Sequence, residues 1–334
     1  MDPVPVQPAV LPPPVAATTP GLLRTLVPQL VWEGVLLIGV IVVVAGMSVA
    51  HPGALTKGGG FAASAAYLGF MAAAFALSLR TATPNLAVAA VGAVCGYLFA
   101  KLVSGGTATV LAGLVAVLAA IGFGLVLALI TGLTALPSWA VTLVGGFMLQ
   151  GALLAASLEG FALRSEPAGA GTFWLWLAVF AVVSIAGAVA FAVPAVRAAL
   201  TRNRVEPGDV PNRFTPGKLV GAAVGLIGSS ALAGFSGVLL TERAAYATPN
   251  IGNALLIYAA AAVFIGGVSP FGGRGGILGV VLGVLLIEGL VQWLLLAGAK
   301  SSTLYVVIGV IALVGLLVSW LLELIGRLTA RAVS

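Results

Sequence analysis

Six polar side chains lie inside or beside long apolar runs of the sequence, and they are its main candidates for chemistry. These residues are Asn85, Thr142, Gln150, Asn253, Glu288 and Gln292. Amides and hydroxyls supply directional hydrogen-bond donors and acceptors, which recognition of a small polar solute requires. We therefore predict that these side chains line the path of such a solute. The alternative is that each amide binds a neighbouring helix, since buried amides need partners.

Two acidic residues in the apolar runs receive different predictions. Glu288 lies in the middle of one run. A carboxylate at membrane depth is costly and indicates a functional site, unless it is protonated or paired with a partner subunit. Glu33 lies near the start of the first run, and we expect it at the membrane interface.

Patterns for catalysis, metal binding and phosphate binding are missing from the sequence. It contains one cysteine, Cys95, and one histidine, His51, so neither an internal disulfide nor a Cys/His metal site is predicted. It has no G-x-x-x-x-G-K-[ST] phosphate loop and no G-x-S-x-G nucleophile motif. We predict a protein that is not an enzyme and that holds no metal or cofactor of its own.

The elements that position these residues are apolar helices, because the composition excludes a soluble protein. Of the 334 residues, 61% are hydrophobic and only 7% are charged, against about 25% charged in soluble domains. A bilayer core needs roughly 20 apolar residues per helix. Ten spans are predicted at 30–50, 61–80, 84–103, 108–133, 137–157, 172–194, 217–240, 251–268, 275–297 and 303–325. The predicted fold class is an all-α membrane protein, a polytopic bundle of about ten transmembrane helices.

Glycine and proline interrupt the apolar pattern most strongly between residues 264 and 289, FIGGVSPFGGRGGILGVVLGVLLIEG. Irregular backbone at membrane depth must contact protein or a water-filled cavity, and broken helices of this kind are typical of transporters. We expect Arg274 either to cap helix carbonyls or to anchor the cytoplasmic face. The residues predicted to break helices or to allow close packing are Pro84, Gly266, Gly267, Pro270, Gly272, Gly273, Arg274, Gly275, Gly276, Gly279 and Gly283.

Domain organisation and orientation follow from the same pattern. Residues 1–29 are predicted to be a disordered proline-rich tail, residues 30–326 the transmembrane domain, and residues 327–334 a short second tail. If the N-terminus is cytoplasmic, ten of the 15 Lys and Arg residues fall on the cytoplasmic side and five on the far side. This bias predicts a cell-membrane protein with both termini in the cytoplasm and no affinity for nucleic acid.

Two matching interruptions suggest inverted repeats. Thr83-Pro84 follows the second predicted span, and Ser269-Pro270 follows the eighth. Matching interruptions in two halves are a pointer to repeats around a central site. The alternative is a pair of ordinary turns between helices.

Four stretches of the sequence resemble the permease subunits of ribose-type sugar importers of the ATP-binding-cassette (ABC) class. The most specific is 261–298, AAVFIGGVSPFGGRGGILGVVLGVLLIEGLVQWLLLAG, and 127–154, 231–267 and 78–94 fit in order. The resemblance implies a translocation pathway for a sugar or related small polar solute. It also implies three partners: an ABC ATPase subunit that binds the ATP, a second permease chain that is identical or homologous, and an extracytoplasmic solute-binding protein.

The sequence departs from that family at three places. Residues 81–87 lack the glycines and aspartate of a TGGIDLS-like segment, and Gln150 stands where arginine is common. The 196–218 loop lacks the usual GxNxxAAxxSGI-like segment. We interpret this loop as the ATPase coupling element, or else as a basic membrane anchor. Its candidate coupling residues are Arg197, Arg202, Asn203, Arg204, Asp209 and Arg213.

Other functions stay open from the sequence. The departures are compatible with a non-translocating or regulatory membrane partner subunit. A branched-chain amino-acid or nucleoside permease of the same superfamily is a further alternative. A transporter driven by an ion gradient is disfavoured, because Glu288 is the main acidic residue deep within the spans.

Overall fold

The computed structural model describes residues 22–55, 60–134, 136–156, 161–163, 169–203, 216–247, 249 and 251–331. Within α-helices, the side chains of residues 22–26, 170, 251, 253, 323 and 326–331 are outside this description. The statements below concern the described residues.

The described chain is almost entirely helical. The first half contains α1 (Leu22–Ala50), α2 (Gly60–Arg80), α3 (Val88–Ser104), α4 (Thr109–Leu133) and α5 (Ser138–Ala156). The second half contains α6 (Ala170–Ala192), α7 (Pro194–Leu200), α8 (Pro216–Ala222), α9 (Gly228–Ala244), α10 (Ile251–Ile265), α11 (Gly279–Leu296) and α12 (Ser301–Arg331). A π-helical turn, Ala223–Ile227, joins α8 to α9. Two short strands, β1 (Phe161–Ala162) and β2 (Tyr246–Ala247), pair antiparallel.

The prediction of a multi-pass helical membrane protein is confirmed. Eight helices in the described ranges are long and apolar enough to cross a bilayer. The third and eighth predicted spans are shorter, because α3 has 17 residues and α10 has 15. These two short helices lie where the sequence interrupts the apolar pattern.

Both predicted tails are shorter than expected. Helix α1 begins at Leu22, so residues 22–29 are helical and the prediction of disorder is wrong for them. Leu22, Leu26 and Val27 extend the apolar pattern, and Pro28 is accommodated inside the helix. Helix α12 continues to Arg331, through most of the predicted second tail. Residues 1–21 and 332–334 lie outside the described part.

Helices α2 and α9 form the centre of the bundle and run antiparallel. A Cβ placed on Gly60 would lie 3.6 Å from Nη2 of Arg243, so the start of α2 is beside the end of α9. At the other end, Gly225 lies directly against the hydroxyls of Thr81 and Thr83. Small residues along both helices permit this close approach.

The other helices surround this pair in two similar sets, as the predicted inverted repeats would require. Helices α3 and α4 pack on α9, and helices α10 and α11 pack on α2. The tetrapeptide Ala-Thr-Pro-Asn occurs twice, at 82–85 before α3 and at 247–250 before α10. Because α2 and α9 are antiparallel, the chain enters the two short helices from opposite ends of the bundle. The tetrapeptide is a second candidate pair for the repeat, and the match of Thr83-Pro84 with Ser269-Pro270 stays a prediction.

A second pair of matching segments supports the repeat. Gly105-Gly106 precedes α4, and Gly272-Gly273 precedes α11. The second glycine of each pair has a positive φ, +92° at Gly106 and +77° at Gly273. Side chains with a Cβ rarely adopt this conformation, so both turns need glycine there.

Candidate functional site

The first helix break, between α2 and α3, is built around Asn85, which is 0% exposed. Its Nδ2 donates to Oγ of Ser229 on α9 at 2.7 Å, and its Oδ1 accepts from the backbone N–H of Ala87 at 3.0 Å. Its own backbone N–H donates to Oγ of Ser78 at 3.1 Å. These bonds hold the start of α3 against α2 and α9. Asn85 thus binds neighbouring helices, which is the alternative role predicted for the buried amides.

Helix α5 contacts both copies of the repeated tetrapeptide. Oγ1 of Thr142 accepts from the N–H of Leu86 at 3.0 Å and donates to the carbonyl of Pro84 at 3.1 Å. Nε2 of Gln150 donates to the carbonyl of Pro249 at 2.8 Å. Thr142 and Gln150 are separated by about 12 Å along the helix. Both breaks therefore contact α5, although the chain enters them from opposite ends of the bundle.

The starts of the two short helices also meet each other. A Cβ on Gly252 of α10 would lie 3.0 Å from the carbonyl carbon of Ala89 on α3. Both helix N-termini carry partial positive charge. This junction therefore brings two such helix ends together, close to the amides of Gln150 on α5 and of Asn85 just before α3. Asn253 belongs to α10 next to this junction, but its side chain lies outside the described part.

A second polar group surrounds Glu288, halfway along α11 and 4% exposed. Its Oε1 accepts from Nε2 of Gln292 at 2.8 Å, and Ser64 of α2 lies within hydrogen-bonding reach. Tyr67 donates to Oγ of Ser64 at 3.1 Å. Tyr258 of α10 lies near enough to interact electrostatically with the carboxylate. We call these five residues the Glu288 group.

The five predicted polar residues whose side chains are described fall into three places. Asn85 and Thr142 hold the first break, Gln150 holds the second, and Glu288 and Gln292 share one group. Ser64, Tyr67 and Tyr258 were not predicted from the sequence, and two of them share a signal: Ser64 and Tyr67 on α2. Their spacing of three residues on an alanine-rich helix places both on one face, and this is the signal that could have identified them.

The glycine-rich linker between α10 and α11 packs backbone against backbone. The carbonyl oxygens of Gly266 and Ala262 lie against Gly279 and Gly283 of α11. Gly267 and Gly272 have φ values of +77° and +82°. Pro270 is half-buried within the same linker. The two helices approach so closely that any side chain at Gly279 or Gly283 would overlap a carbonyl.

Two buried charged residues bracket this linker. Oε1 of Glu33 accepts from the N–H groups of Leu278 at 2.8 Å and Gly279 at 3.0 Å, so Glu33 caps α11 from α1. Nη2 of Arg80 donates to the carbonyl of Gly276 at 2.9 Å. Glu33 is 4% exposed and Arg80 is 6% exposed. Glu33 thus supplies the acceptor at the start of α11, and its place at the membrane interface stays a prediction. Gly275 lies against Nε of Arg80, and Gly276 lies against Glu33.

Helices α1 and α12 bind the end of α10 beside the linker. Nε1 of Trp32 donates to the carbonyl of Ile265 at 2.7 Å. Oγ of Ser319 donates to the carbonyl of Val268 at 3.1 Å, and Arg274 donates to the carbonyl of Ser319. Arg274 thus binds a helix carbonyl, which is the first of the two roles expected for it.

The segment after α6 contains the short helix α7. Asn203 donates from Nδ2 to the carbonyl of Lys218 at 2.9 Å, and Arg202 lies against Gly217. Arg197 is half-buried on α7. Arg204, Asp209 and Arg213 lie outside the described residues. The described part of the candidate coupling element is therefore α7 and the start of α8, which contact each other.

Comparison with known proteins identifies relatives by sequence. No family model and no solved structure matches the chain. The probable ABC transporter permease protein y4mJ of Sinorhizobium fredii is 28% identical over 323 residues, covering 91% of this chain and 94% of that protein. The ribose import permease protein RbsC of Bacillus subtilis is 41% identical over 86 residues, which is 26% of this chain and 27% of that protein.

A third relative matches a similar length. The probable ABC transporter permease protein YphD of Escherichia coli is 39% identical over 94 residues, or 28% of each chain. The alignments therefore span about a quarter of RbsC and of YphD, but nearly all of y4mJ.

Proposed function

We propose that this chain, which is related to the permease subunits of ribose-type ABC transporters, forms a translocation pathway for a sugar or related small polar solute. The observation that carries the proposal is the pair of short helices, α3 and α10. The chain enters them from opposite ends of the bundle, their starts meet, and both follow the same tetrapeptide. Broken helices related by inverted repeats are how many transporters build a solute site within the membrane.

The Glu288 group is the part of this pathway that we propose contacts solute. It supplies a carboxylate, an amide and several hydroxyls at the middle of α11. Such groups can exchange hydrogen bonds with a polyol as it passes. Asn85, Thr142 and Gln150 bind backbone or neighbouring helices, and we propose that they keep α3 and α10 in place beside the pathway. Asn253 would stand at the junction of those helices.

Energy would come from a separate ABC ATPase subunit that binds the ATP. We propose that this subunit docks on α7 and the start of α8, with Arg197, Arg202 and Asn203 as contacts, together with Arg204, Asp209 and Arg213. The support is the short helix α7, which carries Arg197 and packs against α8. Helix α8 continues through the π-helical turn into the central helix α9. A contact there could transmit movement of the ATPase to the centre of the bundle. A second permease chain and an extracytoplasmic solute-binding protein would complete the importer.

The experiment is co-purification with ABC ATPase subunits from the same organism, followed by reconstitution in vesicles. Solute with its binding protein should stimulate ATP hydrolysis and enter the vesicles. The double variant Arg197→Glu with Arg202→Glu should weaken ATPase binding up to about tenfold, since exposed charges contribute under about 1 kcal/mol each. Lys300→Glu reverses an exposed charge at the opposite end of the bundle and serves as the matched control.

The outcomes separate the alternatives. Capture of no ATPase by the wild-type chain in any nucleotide state would contradict the importer and favour a non-translocating subunit. Capture that the double variant leaves unchanged would remove only the docking site. Uptake of a branched-chain amino acid or nucleoside, but not of a sugar, would replace the proposed solute.

A further inference from the structure

A cleft of about 240 Å³ opens between α2, α6, α7 and the π-helical turn. Its lining is almost wholly apolar and includes Ala76, Arg80, Gly187, Phe191, Val196 and Val224. We call it the α2–α6 cleft. It is separate from the Glu288 group, none of whose residues line it.

Small residues and the π-helical turn account for the space. Ala76 on α2 and Gly187 on α6 carry little or no side chain at the floor of the cleft. No described atom lies within 4 Å of a Cβ placed on Gly187. The π-helical turn widens the backbone of the continuous α8–α9 helix where Val224 lines the cleft. Such turns inside α-helices often occur at functional sites.

The cleft faces the hydrocarbon of the bilayer. Neighbouring side chains on α6, including Val182 and Val189, are exposed. Lining residues on α2 extend from Ala73 to Arg80, a length of about 10 Å along the helix axis. An apolar space offers water few partners, and the medium beside α6 consists of acyl chains. The shape of the cleft therefore fits the part of one acyl chain that is nearest its headgroup.

The end of the cleft near α7 is basic. Arg80 ends α2 there and lines the cleft; its Nη2 donates to the carbonyl of Gly276, and its Nε has no hydrogen-bond partner among the described residues. Arg197 follows the lining residue Val196 on α7. The carboxylate of Glu33 lies on the other side of the 275–276 backbone, where it binds the start of α11. Basic pockets between transmembrane helices are typical sites for anionic lipid headgroups.

From the apolar floor and the basic end, we propose that the α2–α6 cleft binds one anionic phospholipid. An acyl chain occupies the space beside Gly187, and the headgroup lies at the end formed by Arg80 and α7. The lipid would then bridge α6 and α7 to the central helices. Because α7 is also the proposed ATPase contact, the lipid would set the position of that contact. The lipid site itself does not depend on the proposed transport function.

The test uses the full chain, delipidated in detergent, with phosphatidylglycerol and phosphatidylcholine as probes. Native mass spectrometry should show one tightly held phosphatidylglycerol on the wild type. The same lipid should raise the melting temperature by roughly 2–4 °C, and phosphatidylcholine should raise it less. Gly187→Leu should lose both effects, because the new side chain fills the space. Gly122→Leu is the matched control, since a Cβ on Gly122 of α4 also meets no described atom within 4 Å.

A second variant keeps the test decisive if Gly187→Leu folds poorly. Arg197→Gln leaves the apolar space intact and should reduce the preference for phosphatidylglycerol over phosphatidylcholine. Equal shifts with the two lipids in the wild type would overturn the anionic site. Unchanged phosphatidylglycerol binding in a folded Gly187→Leu, or retention of detergent alone by the wild type, would overturn the acyl-chain site.

Discussion

Glu33 and Arg80 show how single charged residues can be structural inside a membrane protein. Each is almost fully buried, and each binds backbone of the same linker from a different helix. A buried charge is costly unless hydrogen bonds replace water. Backbone N–H groups at a helix start supply such bonds and a favourable dipole. The two residues therefore tie α1 and α2 to the start of α11.

Replacing Glu33 tests that role. Glu33→Ala should lower the free energy of unfolding by about 2 kcal/mol, because two N–H groups lose a charged acceptor. Glu33→Gln keeps an acceptor oxygen and should lose less. The measurement is the melting temperature in detergent, with Glu242→Gln on α9 as the control. A Glu33→Ala protein with the same melting temperature as the wild type would show that this cap does not stabilise the fold.

Glu288 is predicted to act on solute rather than on stability. Glu288→Gln keeps the shape and the contact with Gln292 but removes the charge. A lost charged hydrogen bond contributes about 1.5 kcal/mol, so the half-saturating solute concentration should rise about tenfold in reconstituted uptake. Ser64→Ala should act in the same direction. If both variants transport as the wild type and Asn85 variants do not, the solute site lies at the helix junction instead.

At the scale of elements, the α10–α11 pair depends on glycine. The backbone carbonyls of α10 occupy the space that side chains at Gly279 and Gly283 would need. The corresponding face of α4 in the other half carries Ala112 and Ala116, both fully buried.

Gly279→Leu should therefore destabilise the fold. Overpacking typically costs about 1–3 kcal/mol, and rigid backbone here cannot move aside as a side chain could. Folded yield after size-exclusion chromatography and the melting temperature are the measurements. Gly309→Leu on α12, where a Cβ meets no described atom within 4 Å, is the control. Wild-type values for Gly279→Leu would mean that α10 and α11 separate in the membrane.

At the scale of the whole molecule, the contacts divide the bundle into two ends. Glu33 and Ser319 reach the linker at one end, where α7 and α8 also lie. The β1–β2 pair and the start of α12 belong to the other end. The bias in Lys and Arg predicts that the linker end is cytoplasmic.

Cysteine labelling tests this orientation. In a Cys95→Ala background, single cysteines at the exposed positions Ala198 and Ser302 should react from opposite sides of the membrane. Ala198→Cys should require a membrane-permeant reagent in intact cells, and Ser302→Cys should react with an impermeant one. Labelling of both from the same side would contradict the ten-span arrangement, and reversed accessibility would contradict only the orientation.

Much of this architecture follows from local sequence. Apolar runs of bilayer length predict α2, α4, α5 and α6 with ends close to those observed, because an isolated span must satisfy its backbone within one helix. The glycine-rich linker is also visible in the sequence, since closely spaced glycines and a proline disfavour a continuous helix. The repeated tetrapeptide Ala-Thr-Pro-Asn, at 82–85 and 247–250, is also visible in the sequence.

Composition and run length were enough to establish a multi-pass helical protein, and motif order was enough to indicate its relatives. Only the packed structure decided which polar side chains share a site. Asn85 and Glu288 look alike in sequence, as polar residues in apolar runs. Their partners, Ser229 and Ser64, come from helices distant in the chain. Such contacts depend on helix rotation and crossing, which local hydrophobicity does not encode. For the same reason, only the packed structure shows Glu33 and Arg80 buried against one linker.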